Sequence, residues 1–320
     1  YTQAYLEWRP VPRSATRYRF KIGTFYPRIS LENTDPGWSS PYKLNSSAIN
    51  TWVAEELRST GLEFTVSRRP ASLGGAHTFS LTAAAFMVND PAGGLLAWIG
   101  WSVHDRQKRP SDYLPLAPLP QIVPVGVFDG RQELWIEPLQ EVDNEVGYSL
   151  NVEWRFGNRV LVRAMHFNNK GDPRVIEGLQ YGWLTRFDHL GVRATLPGDV
   201  GLFAQWMEGS TEMGPLFRPW RPVDVEYASW YLMLTRAFDR HRVSARYDDF
   251  EITDIDQLPM DENAEDGYAW TLNYQYAFND RFTLALEWLS IRTRRPAWTY
   301  FDLADTATER QTQLSLRARF

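Results

Sequence analysis

The chain of 320 residues has no cysteine, so disulfides and thiolate metal sites are excluded, and it suits passage through an oxidising compartment while unfolded. Long apolar runs are missing too. The stretch Leu95 to Trp101 is among the longest, far short of the roughly 18 residues that a membrane-spanning helix needs. Charge of one sign is not in excess either: the net charge is -5, and no basic run is interleaved with aromatics, which argues against a nucleic-acid partner. No charged segment followed by an apolar one opens the sequence, so for an exported chain the signal peptide is expected to have been removed.

What the chain does have is aromatics in strict alternation. Phe, Trp and Tyr make up 14%, with 14 Trp, while the mean hydropathy is only -0.42. Successive side chains of a strand point to opposite faces. In 147–156 one face carries Tyr148, Leu150, Val152, Trp154 and Phe156, and the other Ser149, Asn151, Glu153 and Arg155. In 15–25 Tyr18, Phe20 and Ile22 oppose Arg17, Arg19 and Lys21; in 267–278 Tyr268, Trp270, Leu272, Tyr274, Tyr276 and Phe278 oppose Ala269, Thr271, Asn273 and Gln275. A hydrophilic average hiding apolar stripes of about 9 to 11 residues is what a transmembrane β-barrel shows. A large soluble β-sandwich is the alternative.

Short turns at Gly157-Asn158, Pro197-Gly198-Asp199, Asp239-Arg240 and Asn279-Asp280 join neighbouring strands. Long polar connections at 168–182, 208–222, 254–266 and 295–308 separate the resulting hairpins. This rhythm predicts an all-β, antiparallel barrel, one domain over 1–320, with short turns at one end and long loops at the other. Fifteen strand-like segments can be counted, including 95–105 and 131–142. Because such barrels have even strand numbers, about 16 strands (14–16) are expected, with one preceding Tyr1. The Pro-rich segment 106–130 is read as an unusually long connection on the short-turn side, or as a segment returning into the barrel. Connection 26–60 contains Asn45-Ser46-Ser47, then Ile49, Val53 and Leu57 at helical spacing, and Gly61 beyond. It predicts a short helix capped by Ser46 or Ser47, either constricting the lumen or packing on the rim.

The last strand, Glu309 to Phe320, places Thr312, Leu314, Leu316, Ala318 and Phe320 on one face and Gln311, Gln313, Ser315, Arg317 and Arg319 on the other. An amphipathic final strand ending in phenylalanine resembles the end of bacterial outer-membrane barrels. The stretch Lys21 to Asn33 (KIGTFYPRISLEN) and Phe203 to Gly209 (FAQWMEG) resemble the phosphate-selective porin O and P family. That resemblance implies a sixteen-stranded, often trimeric, passive diffusion channel in the outer membrane of a Gram-negative bacterium. Its partners would be outer-membrane lipid, lipopolysaccharide and small hydrophilic solutes or anions, with no nucleic acid. It does not imply phosphate selectivity.

With the apolar faces turned to lipid, Arg9, Arg17, Arg19, Lys21, Arg155, Arg163, Arg246, Arg317, Arg319, Glu153 and Glu287 are expected to line the pore, together with Glu7, Glu63 and Asp248. Two readings stay open: a basic track favouring anions, or cross-strand ion pairs bracing the wall. The acidic loops 141–145 and 254–266 could bind divalent cations that bridge lipopolysaccharide or repel anions at the mouth; because they match no EF-hand spacing they are read as solvated rather than as a calcium site. Phe217, Trp220, Trp298, Tyr300 and Phe301 are read as loop aromatics that anchor at an interface or grip a substrate. No catalytic residue, metal or cofactor is expected: the five histidines have no ligand spacing, no Gly-x-Ser-x-Gly elbow occurs, and Ser39 lacks a base. His166 and His189 beside Asp188 are taken as wall residues. A barrel that mainly binds or anchors a surface partner remains the second functional reading, and an outer-membrane hydrolase the third.

Overall fold

The computed structural model describes residues 2–109, 111–216, 221–256 and 258–319. The chain begins with β1 (Ala4–Trp8), β2 (Thr16–Phe25), β3 (Ser59–Arg68) and β4 (His77–Met87). Two-residue strands β5 (Leu114–Pro115) and β6 (Trp135–Ile136) pair only with each other, as do β9 (Ile176–Glu177) and β10 (Gln180–Tyr181). Between them come β7 (Gly147–Phe156) and β8 (Val160–Asn168). Then follow β11 (Leu184–Leu196), β12 (Val200–Met213), β13 (Val223–Phe238), β14 (His241–Asp254), β15 (Glu265–Ala277), β16 (Phe282–Arg294) and β17 (Thr306–Ala318). Apart from the two ribbons, these form one 13-stranded antiparallel sheet in which each strand pairs with the next in sequence.

The count is therefore 13 rather than fifteen, and two expected strands account for the difference. Segment 95–105 opens with the continuous apolar run Leu95 to Trp101 instead of alternating, and that run begins in helix α2 (Gly94–Trp98), buried on every side. Segment 131–142 pairs only at Trp135–Ile136. Without those strands the Pro-rich segment 106–130 belongs to one connection, 88–146, between β4 and β7. That connection lies at the same end as the long loops, not at the short-turn end of the first reading; the burial of Leu114, Leu116, Leu119, Ile122 and Phe128 in the interior cluster agrees with the second, a segment returning into the barrel. The short turns 157–159, 197–199, 239–240 and 278–281 fall where turn chemistry predicts. Strand β12 runs on to Met213 because Thr211 and Met213 keep its inward alternation. The terminal residue Phe320 and the loop aromatics Phe217 and Trp220 lie outside the described residues.

The two faces of the sheet are sharply different. Ile22 is 55% exposed, Val152 57% and Leu272 48%, whereas Ala269, Thr271 and Asn273 on the opposite face of β15 are at most 3% exposed. Register shows how the apolar face is laid out. One row of cross-strand partners runs Trp8, Phe20, Phe64, Ala83, Leu150, His166, Asp188, Glu208, Ala228, Glu251, Asp266, Arg294. It is apolar up to Leu150 and mostly charged beyond. A later row, Ala194, Leu202, Leu234, Ala245, Leu272, Trp288, is apolar over the second half of the sheet. An apolar layer that slips toward the short-turn end from strand to strand means that the strands are inclined to that layer. Among the described residues no helix is long and apolar enough to cross a membrane.

The sheet curls around connection 26–58. Residues 28–48 hydrogen-bond to inward side chains of β3, β4, β7, β8, β12, β14, β16 and β17. A single segment can meet all of these only if the sheet wraps it. Helix α1 (Ala48–Glu55) and α2 lie inside with it. Trp52 meets Phe187 and Tyr227 edge-on, with ring centroids 5.7 and 5.3 Å away. Among the described residues no ladder joins β1 to β17.

Candidate functional site, the lumen and its inward loop

A loop that leaves the sheet and enters the interior brings backbone groups with no ladder to satisfy them, and buried N–H and C=O groups must find partners. Here the wall supplies them. Arg163 donates to the carbonyls of Ile29 (3.3 Å) and Ser30 (3.2 Å), and Asn151 to that of Arg28 (3.0 Å). Gln205 accepts from the Leu31 amide at 2.9 Å and from the Tyr231 hydroxyl at 2.7 Å. Arg246 donates to the carbonyls of Asn45 and Ser46, both at 2.9 Å. Glu287 accepts from the amides of Leu44 (2.7 Å) and Asn45 (2.6 Å), and Asp248 from the Ala48 amide at 3.2 Å.

Glu32 sits at the centre, fully buried. Its carboxylate accepts from the Ser47 amide (2.8 Å) and hydroxyl (2.9 Å) and from the Asn50 side chain (2.9 Å), and lies 3.0 Å from Lys43 Nζ. Burial alone would raise its proton affinity, but the Lys43 and Arg246 charges hold the carboxyl below its ordinary value. Burial and then the Arg246 charge push Lys43 down to about 8. Ser47 is the N-cap of α1, one of the two serines expected. Gly61 is not the C-terminal stop; the helix ends at Glu55 and Gly61 lies in β3. Beyond the helix Glu56 ties α1 to α2, accepting from Trp52 Nε1 (2.5 Å) and the Leu95 amide (3.0 Å), and burial raises its carboxyl to about 7.

The expected lumenal residues lie on the strand face opposite the apolar one, and most of them are held in ion pairs or hydrogen bonds. Arg246 pairs with Asp248 at 2.6 Å, and both are at most 1% exposed. Arg163 and Arg155 share Glu153, at 2.6 Å each. Arg19 and Lys21 share Glu63, at 3.2 and 3.4 Å, and Arg9 pairs with Glu7 at the end of β1. Arg317 and Arg319 reach Asp35 of the inward loop at 3.4 and 3.0 Å. Arg17 has no ion partner among the described residues. Apart from Arg17, the basic ladder is thus resolved into ion pairs, because inward carboxylates on the same strand, on neighbouring strands or in the loop stand within reach of these cations.

Water reaches inward cations at the short-turn mouth. One cavity of about 320 Å³ is lined by Asp35, Arg242, Gln275, Arg317 and Arg319, and a second of about 230 Å³ by Tyr42, Arg193, Phe203, Thr235 and Arg242. Arg193 and Arg242 escaped the sequence reading, although their place in the alternation of β11 and β14 would have found them. Arg242 stacks on Tyr42, 5.2 Å from the ring centre.

Other sequence expectations resolve as follows. His166 is hydrogen-bonded to Asp188 at 2.9 Å on the outward face, whereas His189 is buried inside and bonded to Gln205. They belong to opposite faces and form no common site. Ser39 donates to the Pro36 carbonyl at 3.0 Å and is a turn residue. Tyr300 and Phe301 pack against the interior cluster. In the outer connections Asp90, Glu141 and Asp143 bring carboxylate oxygens within 4.8 Å of one another. Burial first, then the two neighbouring charges, raises Asp90 to about 7 against the pull of backbone amides.

Solved structures share this arrangement of a curled antiparallel sheet with an apolar outer face and an interior filled by inward connections. The chain aligns over 95% of its length, and 79% of the other chain, with a loop L8 deletion mutant of OmpT, an outer membrane protein of Vibrio cholerae (TM-score 0.54, 9% identity). It aligns over 96% of its length, and 74% of the other, with the outer membrane channel DcaP of Acinetobacter baumannii (TM-score 0.51, 9% identity). No protein-family model matches the chain and no curated protein sequence matches it, so the resemblance to the phosphate-selective porin O and P family gains no support from these comparisons.

Proposed function

We propose that the protein is a β-barrel channel of a Gram-negative outer membrane, in which the inward loop 26–58 restricts the passage of small hydrophilic solutes. The observation that carries this reading is the combination of an apolar outer belt with an interior of mixed polar and apolar side chains, crossed by a segment that inward side chains of eight strands hold. The likeness to an outer-membrane channel agrees with it. The arginines lining the two mouth cavities, Arg193, Arg240, Arg242, Arg317 and Arg319, outnumber the carboxylates Asp35, Asp199 and Asp239. Such a mouth concentrates anions, so a weak anion preference belongs to the proposal.

The dense packing around Glu32, Lys43 and Arg246 favours a second reading, a barrel closed to solutes that binds or anchors a partner at the cell surface. Single-channel recording in planar bilayers separates the two. Steady openings of the purified protein support the channel. A protein that is silent, and stays silent when Arg246→Ala frees the loop, supports the anchored barrel.

A further inference from the structure

The connection between β14 and β15 contains a group of buried oxygens with nothing to bind. Asp261 is 2% exposed and Asn263 fully buried. Among the described residues neither carboxylate oxygen of Asp261 and neither polar side-chain atom of Asn263 has a hydrogen-bond partner, and the Asp254 carboxyl, whose Oδ1 receives no donor N–H, lies against that of Asp256. Asn263 lies beside the Asp261 carboxylate without making a hydrogen bond of proper geometry to it. The backbone draws these groups together: the Asn263 amide donates to Asp254 Oδ2 at 3.0 Å. Asp256 is differently used, since its oxygens take the amides of Leu258 (2.9 Å) and Asp224 (3.1 Å) and so fix the turn. Arg295, the cation whose charge reaches Asp261, is engaged by Glu265 at 3.5 Å and by the Ala97 carbonyl at 2.8 Å.

A carboxylate removed from water without a donor costs several kcal/mol, so it is kept either neutral or beside a counter-ion. Adjacent carboxylate and amide oxygens, with no nitrogen or sulfur ligand, suit a hard cation. Calcium accepts six to eight oxygens in loose geometry, whereas magnesium demands a near-octahedral set and keeps its waters. We propose that this loop binds a calcium ion through Asp254, Asp261 and Asn263, with Asp256 holding the turn. The proposal is independent of whether the barrel conducts.

Calorimetric titration of the whole, detergent-folded, chelator-treated protein with calcium chloride tests it. One site with a Kd of roughly 10⁻⁴ to 10⁻³ M, the range of calcium modules outside cells, is expected. Asp261→Asn should weaken binding at least tenfold (~10-fold or more, the loss of one charged ligand) with an unchanged circular dichroism spectrum, and Asn263→Asp should tighten it, a gain that misfolding cannot mimic. Terbium luminescence sensitised by Tyr300, whose hydroxyl feels the Asp261 and Asp254 charges, should disappear in Asp261→Asn. Absence of calcium binding, with Asp261→Asn as stable as the parent or more so, would mean a neutral carboxyl and overturn the proposal. Binding that survives Asp261→Asn but is lost in Glu141→Gln would place the ion at the Asp90 cluster and overturn it equally.

Discussion

The belt of charge that clamps residues 28–48 and the arginine-lined mouth at the short-turn end are built from the same residue types, yet they do different work. In the clamp Arg246, Asp248 and Glu32 are at most 1% exposed and every partner is fixed. At the mouth the Arg317 and Arg319 side chains are 34% and 62% exposed and share one aspartate. Burial decides the outcome. A buried charge is costly to leave unpaired and so determines position, while an exposed one is screened and contributes mainly a field.

Removing one member of the clamp should have the largest effect. Arg246→Ala leaves Glu32 and Asp248 buried with less compensation, which costs about 3–5 kcal/mol. Limited proteolysis should then cut within 26–58, and conductance should rise. An unchanged cleavage pattern would mean that the loop is held by apolar packing alone.

Glu56 gives a pH test of the region between α1 and α2. Its folded value of about 7 lies above the ordinary carboxylate value of 4.5. The folded state therefore binds the extra proton between these values; the stabilisation is complete below about 4.5 and is lost as pH rises through about 7. The full swing is on the order of 3 kcal/mol. Thermal scans from pH 5 to 8 should show this decline, and Glu56→Gln should flatten it.

Glu287→Gln keeps the shape of the clamp but removes the charge that receives two loop amides. About 1–3 kcal/mol should be lost, read as faster hydrogen exchange at Leu44 and Asn45. At the mouth, the double change Arg317→Ala with Arg319→Ala should cost below about 1 kcal/mol of stability. It should instead shift the reversal potential in a salt gradient away from anions, more strongly than alanine at Arg19 and Lys21, which also share one carboxylate but are less exposed. Equal shifts from the two sets would erase the distinction between clamp and mouth.

Much of the wall was legible because its signal is local. The alternation in 147–156 and 267–278 gave the correct outward sets, and Gly157-Asn158 and Pro197-Gly198-Asp199 marked real turns. The reading failed at 95–105 and 131–142, where apolar and Pro-containing stretches were taken for strands; α2 shows that a continuous apolar run was a sign of all-round burial. The inward parity of Arg193 and Arg242 was readable, but no local pattern shows that they face the mouth cavities rather than a buried partner.

Alternation alone determined which side chains look inward and at which end the turns lie, since a strand's two faces follow from the period of its own residues. Only the tertiary structure decided what those inward charges do. Arg246 meets the carbonyls of Asn45 and Ser46, and Glu287 the amides of Leu44 and Asn45, across some two hundred residues of chain. No local pattern encodes that meeting. It exists because the wrapped sheet encloses loop backbone that has no ladder of its own and must be satisfied by the wall.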